Sequence, residues 1–417
     1  MIVSLGSLFL VDVNAVRSMA AGAIIVVAVA VLATVTLLPA LLALAGRRTE
    51  RLRVRIPWRR LDPGHDFWLA WSNRVMRRPA LALALGAALM LLLAVPTLFL
   101  HTENHGLAQL PRDAEVRTAT ERVAALAGPG FLGPIHLLTG DRSAAGAIAG
   151  AVRGLPGVAR VVGPVTSADG SRYLVEVILA DDPDSEAARA TYREVERLAA
   201  ARAPDAVLGG ATAFSLDIEK PLVGGLWKIV LFVLAVSYGV LFLLLRSVLL
   251  PLKAVFMNLL SVGAAYGVLV AVFQWGWLDW TGYASPGYLD TIVPALVLAV
   301  VFGLSMDYEV FLLTRIRERY ASGAANERAV AEGLAASARV ITFAALVMVA
   351  VFGAFSFAAS PSLKELGVGL GVAVFLDATI VRLVIVPATM RLLGDWNWWP
   401  GRRALAALPR EPSPTPD

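Results

Sequence analysis

The sequence predicts an α-helical polytopic membrane protein with one α+β domain inserted between its spans. Three observations lead there. The chain is 58% apolar with 17% charged residues and a mean hydropathy of +0.69, whereas charged residues alone make up about a quarter of an average soluble domain. Several apolar runs reach the ~20 residues that cross a hydrocarbon core. Residues 101–225 interrupt that pattern with a polar stretch of globular composition.

Residues 1–45 hold the end of one helix and one complete span. Ile2–Val11 is apolar but too short to cross, and it reads as the tail of a helix begun upstream. It shows neither the basic start nor the small-residue cleavage site of a signal peptide. Ser18–Leu44 is the complete span, closed by Pro39 and Gly46-Arg47-Arg48. Residues 46–78 carry Arg51, Arg53, Arg55, Arg59, Arg60, Arg74, Arg77 and Arg78 as well, which by the positive-inside rule makes a cytoplasmic loop. A patch for anionic headgroups is the other reading of these arginines. Trp58, Trp68 and Trp71 suit an interfacial position. Residues 79–100 form the next span, leaving the cytoplasm.

Within 101–225 a helical pattern, Asp113–Ala127, precedes a strand, Ile135–Thr139, and a helix, Arg142–Arg153. Gly157–Thr166 and Ser171–Ala180 read as a strand pair, Asp184–Arg202 as an amphipathic helix, and Ala206–Ala213 as a closing strand. The order β-α-β-β-α-β is that of the ferredoxin-like split βαβ. Both flanking spans have their basic ends on the opposite side, which puts this domain outside the cytoplasm.

Residues 226–393 supply five more spans: Leu226–Leu245, Leu252–Phe273, Asp290–Leu313, Arg339–Ala358 and Glu365–Leu393. Every basic loop falls on one side, and the outer loop with Trp275, Trp277 and Trp280 suits an aromatic belt. Residues 394–417, rich in Pro and Arg, read as a disordered cytoplasmic tail. There is also an internal echo. Leu37-Leu38-Pro39-Ala40-Leu41 with Gly46 recurs as Ile385-Val386-Pro387-Ala388-Thr389 with Gly394, and Phe9 and Phe357 share that offset. Two halves of a duplicated transporter would give such a repeat, although the counterpart of Asp377 is apolar.

The available chemistry is narrow. The net charge of +5 raises nucleic acid as a partner, but arginines beside spans are explained by topology, so none is expected. Without cysteine there is neither a disulfide nor a thiolate metal site. Lys220, Lys228, Lys253 and Lys364 are the lysines, and none follows a glycine as a P-loop requires, so ATP is not this chain's fuel. His65, His101, His105 and His136 lie outside the spans; His101 and His105 have a metal-compatible spacing but no further ligand, and a surface role is expected. No G-x-S-x-G elbow occurs. The sequence therefore predicts no enzyme, no cofactor and no metal.

What remains is acid inside apolar runs. Asp307, in the run Tyr288–Leu313, costs about 2.5–3.5 kcal/mol to insert and so should face protein or a wet cavity. It is either a structural Asp bonded to a neighbouring helix or a proton-carrying carboxylate with the phenol of Tyr308 beside it. Gly303, one turn away on the same face, serves helix packing or water access. Glu309 and Arg315 are expected to anchor the cytoplasmic boundary. Asp377 is the second buried acid. Arg382, five residues on, diverges from it by about 140° at the helical period. Each should pair with a neighbouring helix, or Asp377 takes part in proton transfer.

The stretch Gly303-Leu-Ser-Met-Asp-Tyr-Glu-Val-Phe-Leu-Leu-Thr-Arg-Ile-Arg-Glu-Arg319 resembles the signature of the MMPL family, lipid and amphiphile exporters within the proton-driven RND superfamily. Thr314 stands where many members have Ser. The resemblance implies an RND-type transmembrane bundle in the plasma (inner) membrane, with an extracytoplasmic porter domain whose closing segment is Gly209–Ala213. It implies protons as the coupling ion, a relay through Asp307 and Tyr308, and export of a lipid or hydrophobic small molecule. In that family the Asp-Tyr pairs come from both halves, and one pair is present here. With the Ile2–Val11 stub, an odd number of complete spans and an unmatched repeat, the chain is expected to be part of a longer or two-chain transporter and not to transport alone. Its partner would be the missing first half, another chain or a second copy, with membrane lipids around it. The rival reading is a non-transporting scaffold or accessory subunit.

Overall fold

Apolar runs fold as helices in hydrocarbon because each helix satisfies its own backbone polar groups. The computed structural model describes residues 1–46, 64–103, 114–281 and 285–400. Among the described residues, 7 helical stretches are long and apolar enough to cross a membrane. The chain divides into two compact units, Met1–His101 with Gly225–Ala358 and Leu363–Asp417, and Thr102–Gly224 with Ala359–Ser362.

The first unit opens with α1 (Ile2–Gly6), extended to Leu10 by a 3₁₀ turn that buries Leu8 beside Leu5. α2 (Asn14–Ala45) is a single helix, exposed over most of its apolar length. α3 (His65–Arg77) and α4 (Pro79–Ala94) follow. Trp68 and Trp71 of α3 both meet other parts of this unit. Trp68 is buried in the core cluster, and Trp71 Nε1–H donates to the Leu383 carbonyl at 3.0 Å. The amphipathic α3 turns its apolar side into the bundle, so these rings have protein to cover them. Trp58 and Arg47–Arg60 lie outside the described residues.

In the second unit, α5 (Glu115–Ala127) precedes β1 (Ile135–Thr139), α6 (Arg142–Val152), β2 (Val158–Thr166), β3 (Tyr173–Leu179), α7 (Glu186–Arg202) and β4 (Val207–Gly209). The sheet order is β2-β3-β1-β4, antiparallel throughout, the arrangement of a split βαβ fold. Leu137 stands opposite Val175 and Leu208. Ile135, Leu137, Val175, Val177 and Leu179 therefore share a buried face, which Ile148, Val152, Tyr192, Val195 and Ala199 of α6 and α7 cover. Both helices start on side-chain caps, Asp141 accepting from Ser143 N–H at 2.7 Å and Ser185 from Ala188 N–H at 3.1 Å. The closing strand is shorter than Ala206–Ala213. Gly210 turns to φ 115 against the Pro134 carbonyl, and a helix begins at the next residue.

The remaining helices are α8 (Ala211–Leu245), α9 (Leu249–Leu269), α10 (Val293–Ala321), α11 (Asn326–Phe355), α12 (Pro361–Leu376) and α13 (Val386–Leu393). A π-helical segment, Asp377–Ile385, joins α12 to α13 as one span. α4 lies close on α9: a Cβ at Gly267 would strike the Leu93 carbonyl, and the Thr97 hydroxyl donates to Gly263 O at 2.7 Å.

Two sequence features resolve differently. Residues 394–400 of the expected disordered tail are ordered. Gly394–Trp398 forms a 3₁₀ turn in which Trp398 is buried, stacks on Tyr320 at 4.5 Å and donates from Nε1 to Asn326 Oδ1 at 3.1 Å. Burying an indole with its N–H satisfied outweighs a Pro-rich composition. Residues 401–417 lie outside the described residues. The internal echo, in turn, extends to the backbone. Gly46 ends α2 at φ 47, ψ −132, and Gly394 ends α13 at φ 52, ψ −129. At the echo's offset, the start of α2 falls within one residue of the start of α12.

Candidate functional site

The site forms where α10 meets the π-helical segment. In that segment the Val386 N–H bonds to Val381 O, five residues back. A π turn closes on the fifth residue, so Asp377 and Arg382 stack instead of diverging by 140°. Arg382 NH2 reaches Asp377 Oδ2 at 3.4 Å, with both side chains buried. The expected divergence of the two side chains is thus corrected, while each also meets a neighbouring helix, α10, through Tyr308.

From α10, the Tyr308 hydroxyl donates to the same Asp377 oxygen, and it lies 3.3 Å from Ser305 Oγ. The Arg382 guanidinium covers the Tyr308 ring at 3.7 Å from its centroid. One carboxylate oxygen therefore collects a phenol and a guanidinium, while Arg382 NH1 has no hydrogen-bond partner among the described residues. Such a buried pair is costly to break, because removing one member leaves a charge uncompensated.

Asp307 is not part of this contact. Consecutive helical residues point 100° apart, so while Tyr308 turns inward the Asp307 side chain is 64% exposed, with Met1 N at 3.6 Å. It lines a cleft of about 330 Å³ with Leu304, Phe311, Ile341 and Met348. Gly303 faces α1. A Cβ there would come within 3.0 Å of the Met1 Cα and closer still to Ser4 Oγ, so the glycine permits that approach.

Three further polar residues belong to the same region. Glu309, expected at the boundary, is 6% exposed and accepts from Asn258 Nδ2 at 3.1 Å. The arginines suggest an early helix end, but α10 continues to Ala321, about three turns beyond Glu309. Its partner in that expectation, Arg315, is on the exposed side with Glu318 at 2.9 Å. Lys253 of α9 has a buried ammonium without a hydrogen-bond partner among the described residues. The signal for Glu309 was its spacing, since Ser305, Glu309 and Leu312 recur at helical intervals and all three are buried. Among the described residues no group of His, Cys, Asp and Glu could hold a metal ion.

The sequence model of the MMPL family matches residues 1–82 and 133–415. The chain is 40% identical to the heme uptake protein MmpL11 of Mycobacterium tuberculosis, over 98% of this chain and 44% of that protein. It is 42% identical to the mycolic acid-containing lipids exporter MmpL11 of Mycolicibacterium smegmatis, over 95% of this chain and 43% of that protein. It is 32% identical to the trehalose monomycolate exporter MmpL3 of Mycobacterium tuberculosis, over 89% of this chain and 44% of that protein. The chain spans less than half the length of these relatives.

Proposed function

The chain belongs to the MMPL family of membrane transporters, and on that premise we propose that it is part of a longer or two-chain plasma-membrane transporter that couples proton flow to export of a lipid or another hydrophobic small molecule. The observation that carries the reading is the contact of Tyr308, Asp377 and Arg382 inside two spans. Intramembrane ionisable groups are expensive and mark transport routes. Two relatives named as exporters of mycolic acid-containing lipids and of trehalose monomycolate support the substrate class, while a third is named for heme uptake.

A proton on Asp377 would leave Arg382 without its countercharge and oblige the Tyr308 hydroxyl to change its bonding. A buried guanidinium stripped of its anion is unstable in place, so protonation favours a different arrangement of α10 against the last span. Loss of the proton restores the contact. Tyr308 can either donate or accept, and so passes a proton between Asp377 and the cleft that Asp307 lines. The exposed carboxylate of Asp307 at membrane depth requires cover, which further polypeptide or a second copy would provide. The arginines at the end of α10 and in α3 support a cytoplasmic side for those ends by the positive-inside rule. The C-terminus is then cytoplasmic and the unit Thr102–Gly224 extracytoplasmic.

The test uses the complete transporter in vesicles with an imposed pH gradient. Asp377→Asn and Asp307→Asn should each abolish proton-linked export at parental membrane levels. Export by Asp377→Asn at the parental rate would refute the relay. Met1–Asp417 purified alone should give no substrate-dependent proton flux; such flux would refute the need for further polypeptide, unless a homodimer supplies it.

A further inference from the structure

We infer that Glu309 is a second proton-binding carboxylate of the membrane unit, with the Lys253 ammonium as its movable countercharge. The inference deepens the proton-coupling reading and rests on it for its part in transport.

The Glu309 carboxylate meets α9, where it receives a hydrogen bond from Asn258 Nδ2 at 3.1 Å. Both residues are buried. A carboxylate has about four acceptor sites, and one amide does not compensate a buried anion. Such a group needs a cation or a proton. The groups that face it are Lys253 and Asn258 from α9 and Asp377 and Arg382 from the last span.

The charges balance when both acids are ionised, with Asp377 and Glu309 against Arg382 and Lys253. The two cations are not held alike. Arg382 is fixed by Asp377 and by the Tyr308 ring. The Lys253 ammonium is buried and has no hydrogen-bond partner among the described residues, and Glu309 attracts it. No hydrogen bond among the described residues holds it against moving.

It also has room to do so. Lys253 lines a groove of about 550 Å³ bounded by Leu83 and Ala87 of α4 and by Ile385 and Thr389 of the last span. It sits four residues into α9, beside the turn that carries Arg246. A lysine stem of this length can carry its head from the interior to a helix end. A proton arriving on Glu309 would release the ammonium towards that end, and its departure would draw the ammonium back. Glu309 and Lys253 thereby extend the relay from Asp377 to the start of α9.

The test is infrared difference spectroscopy of Met1–Asp417 in lipid bilayers, with the proton itself as probe. Acidification should develop a carboxylic-acid C=O band. Glu309→Gln should remove one component of it that Asp377→Asn retains, and Glu309→Asp should displace that component. Lys253→Met should change the pH dependence of the component by about one unit, while Lys253→Arg, which keeps the charge, should preserve it. A Glu309→Gln spectrum identical to the parent's overturns the inference. So does an unchanged pH dependence in Lys253→Met. If Glu309→Gln does not fold, an undisplaced band in Glu309→Asp overturns it equally. Failure of the transport reading shows elsewhere, as parental export by Asp377→Asn in the complete transporter, and leaves the infrared outcome intact.

Discussion

Arg382 lies over the Tyr308 ring, 3.7 Å from its centroid, while the hydroxyl of that ring bonds to the carboxylate that Arg382 pairs with. Tyr308 thus has two separable duties. The ring steadies the cation by about 0.5–2 kcal/mol, and in the proposed relay the hydroxyl handles the proton. Tyr308→Phe keeps the first duty and should retain partial export by the complete transporter, with water taking the place of the hydroxyl. Tyr308→Leu loses both and should abolish it. Equal export by the two variants in a vesicle assay would show that the ring contributes nothing.

The pair Asp377 and Arg382 should be coupled in stability. Asp377→Asn or Arg382→Met alone leaves a buried charge unpaired and should destabilise the purified chain by about 3–5 kcal/mol. The double variant should lose less than the sum of the two. Thermal unfolding in detergent micelles gives the cycle, and additive losses would mean that the two side chains act independently.

Asp307 should behave in the opposite way. Its side chain is 64% exposed, so Asp307→Asn should change the unfolding free energy of Met1–Asp417 by no more than about half a kcal/mol. The same substitution should abolish export in the complete transporter. A large drop in melting temperature would assign Asp307 a structural role.

The second unit offers a pH-dependent test outside the membrane. Asp205 accepts from Gly140 N–H at 2.7 Å and from the Thr139 hydroxyl at 3.0 Å, and these bonds hold its carboxyl below the usual carboxylate range. A carboxyl depressed in the folded state stabilises it above the unfolded pKa of about 4, and that contribution is lost as pH falls through the folded value. Excised Thr102–Gly224 should be soluble, and Asp205→Asn should lower its melting temperature at pH 7. The difference should shrink steadily below about pH 4. A difference independent of pH would assign the effect to packing.

The side of the membrane can be read with one added thiol, because the chain has no cysteine. Ser167→Cys should react with an impermeant maleimide in intact cells whose outer barrier is open. Labelling only after the inner membrane is permeabilised would reverse the proposed orientation.

The spans and the split βαβ order were legible because apolar length and strand alternation survive without knowledge of neighbours. The site was legible only in part. Asp307-Tyr308 is contiguous in sequence, but one residue of helix advances 100°, so the motif divides between two faces. The union of Asp377 with Arg382 was hidden by the assumption of 3.6 residues per turn; opposite charges five apart within an apolar run were the available sign of a π turn. Glu309 was misplaced because the arginines were taken to mark the helix end, whereas α10 runs on to Ala321. Trp398 sits in a stretch whose composition suggests disorder, and its burial depends on Tyr320 and Asn326, contacts that local sequence does not reveal.

The turn around Trp398 has a mechanical consequence. It ties the start of α11 through Asn326, the end of α10 through Tyr320, the turn before α9 through Ser247, and α13 through Met390. Helices fastened at one end act as levers about that fastening. Along the last span, Asp377 lies about 20 Å from Met390 and Glu365 about 37 Å, at 1.5 Å per residue. A tilt started by neutralising Asp377 would therefore move the far end of the span nearly twice as far as the site itself. The fulcrum is Trp398, so Trp398→Ala should blunt that amplification while leaving the Asp377–Arg382 contact in place.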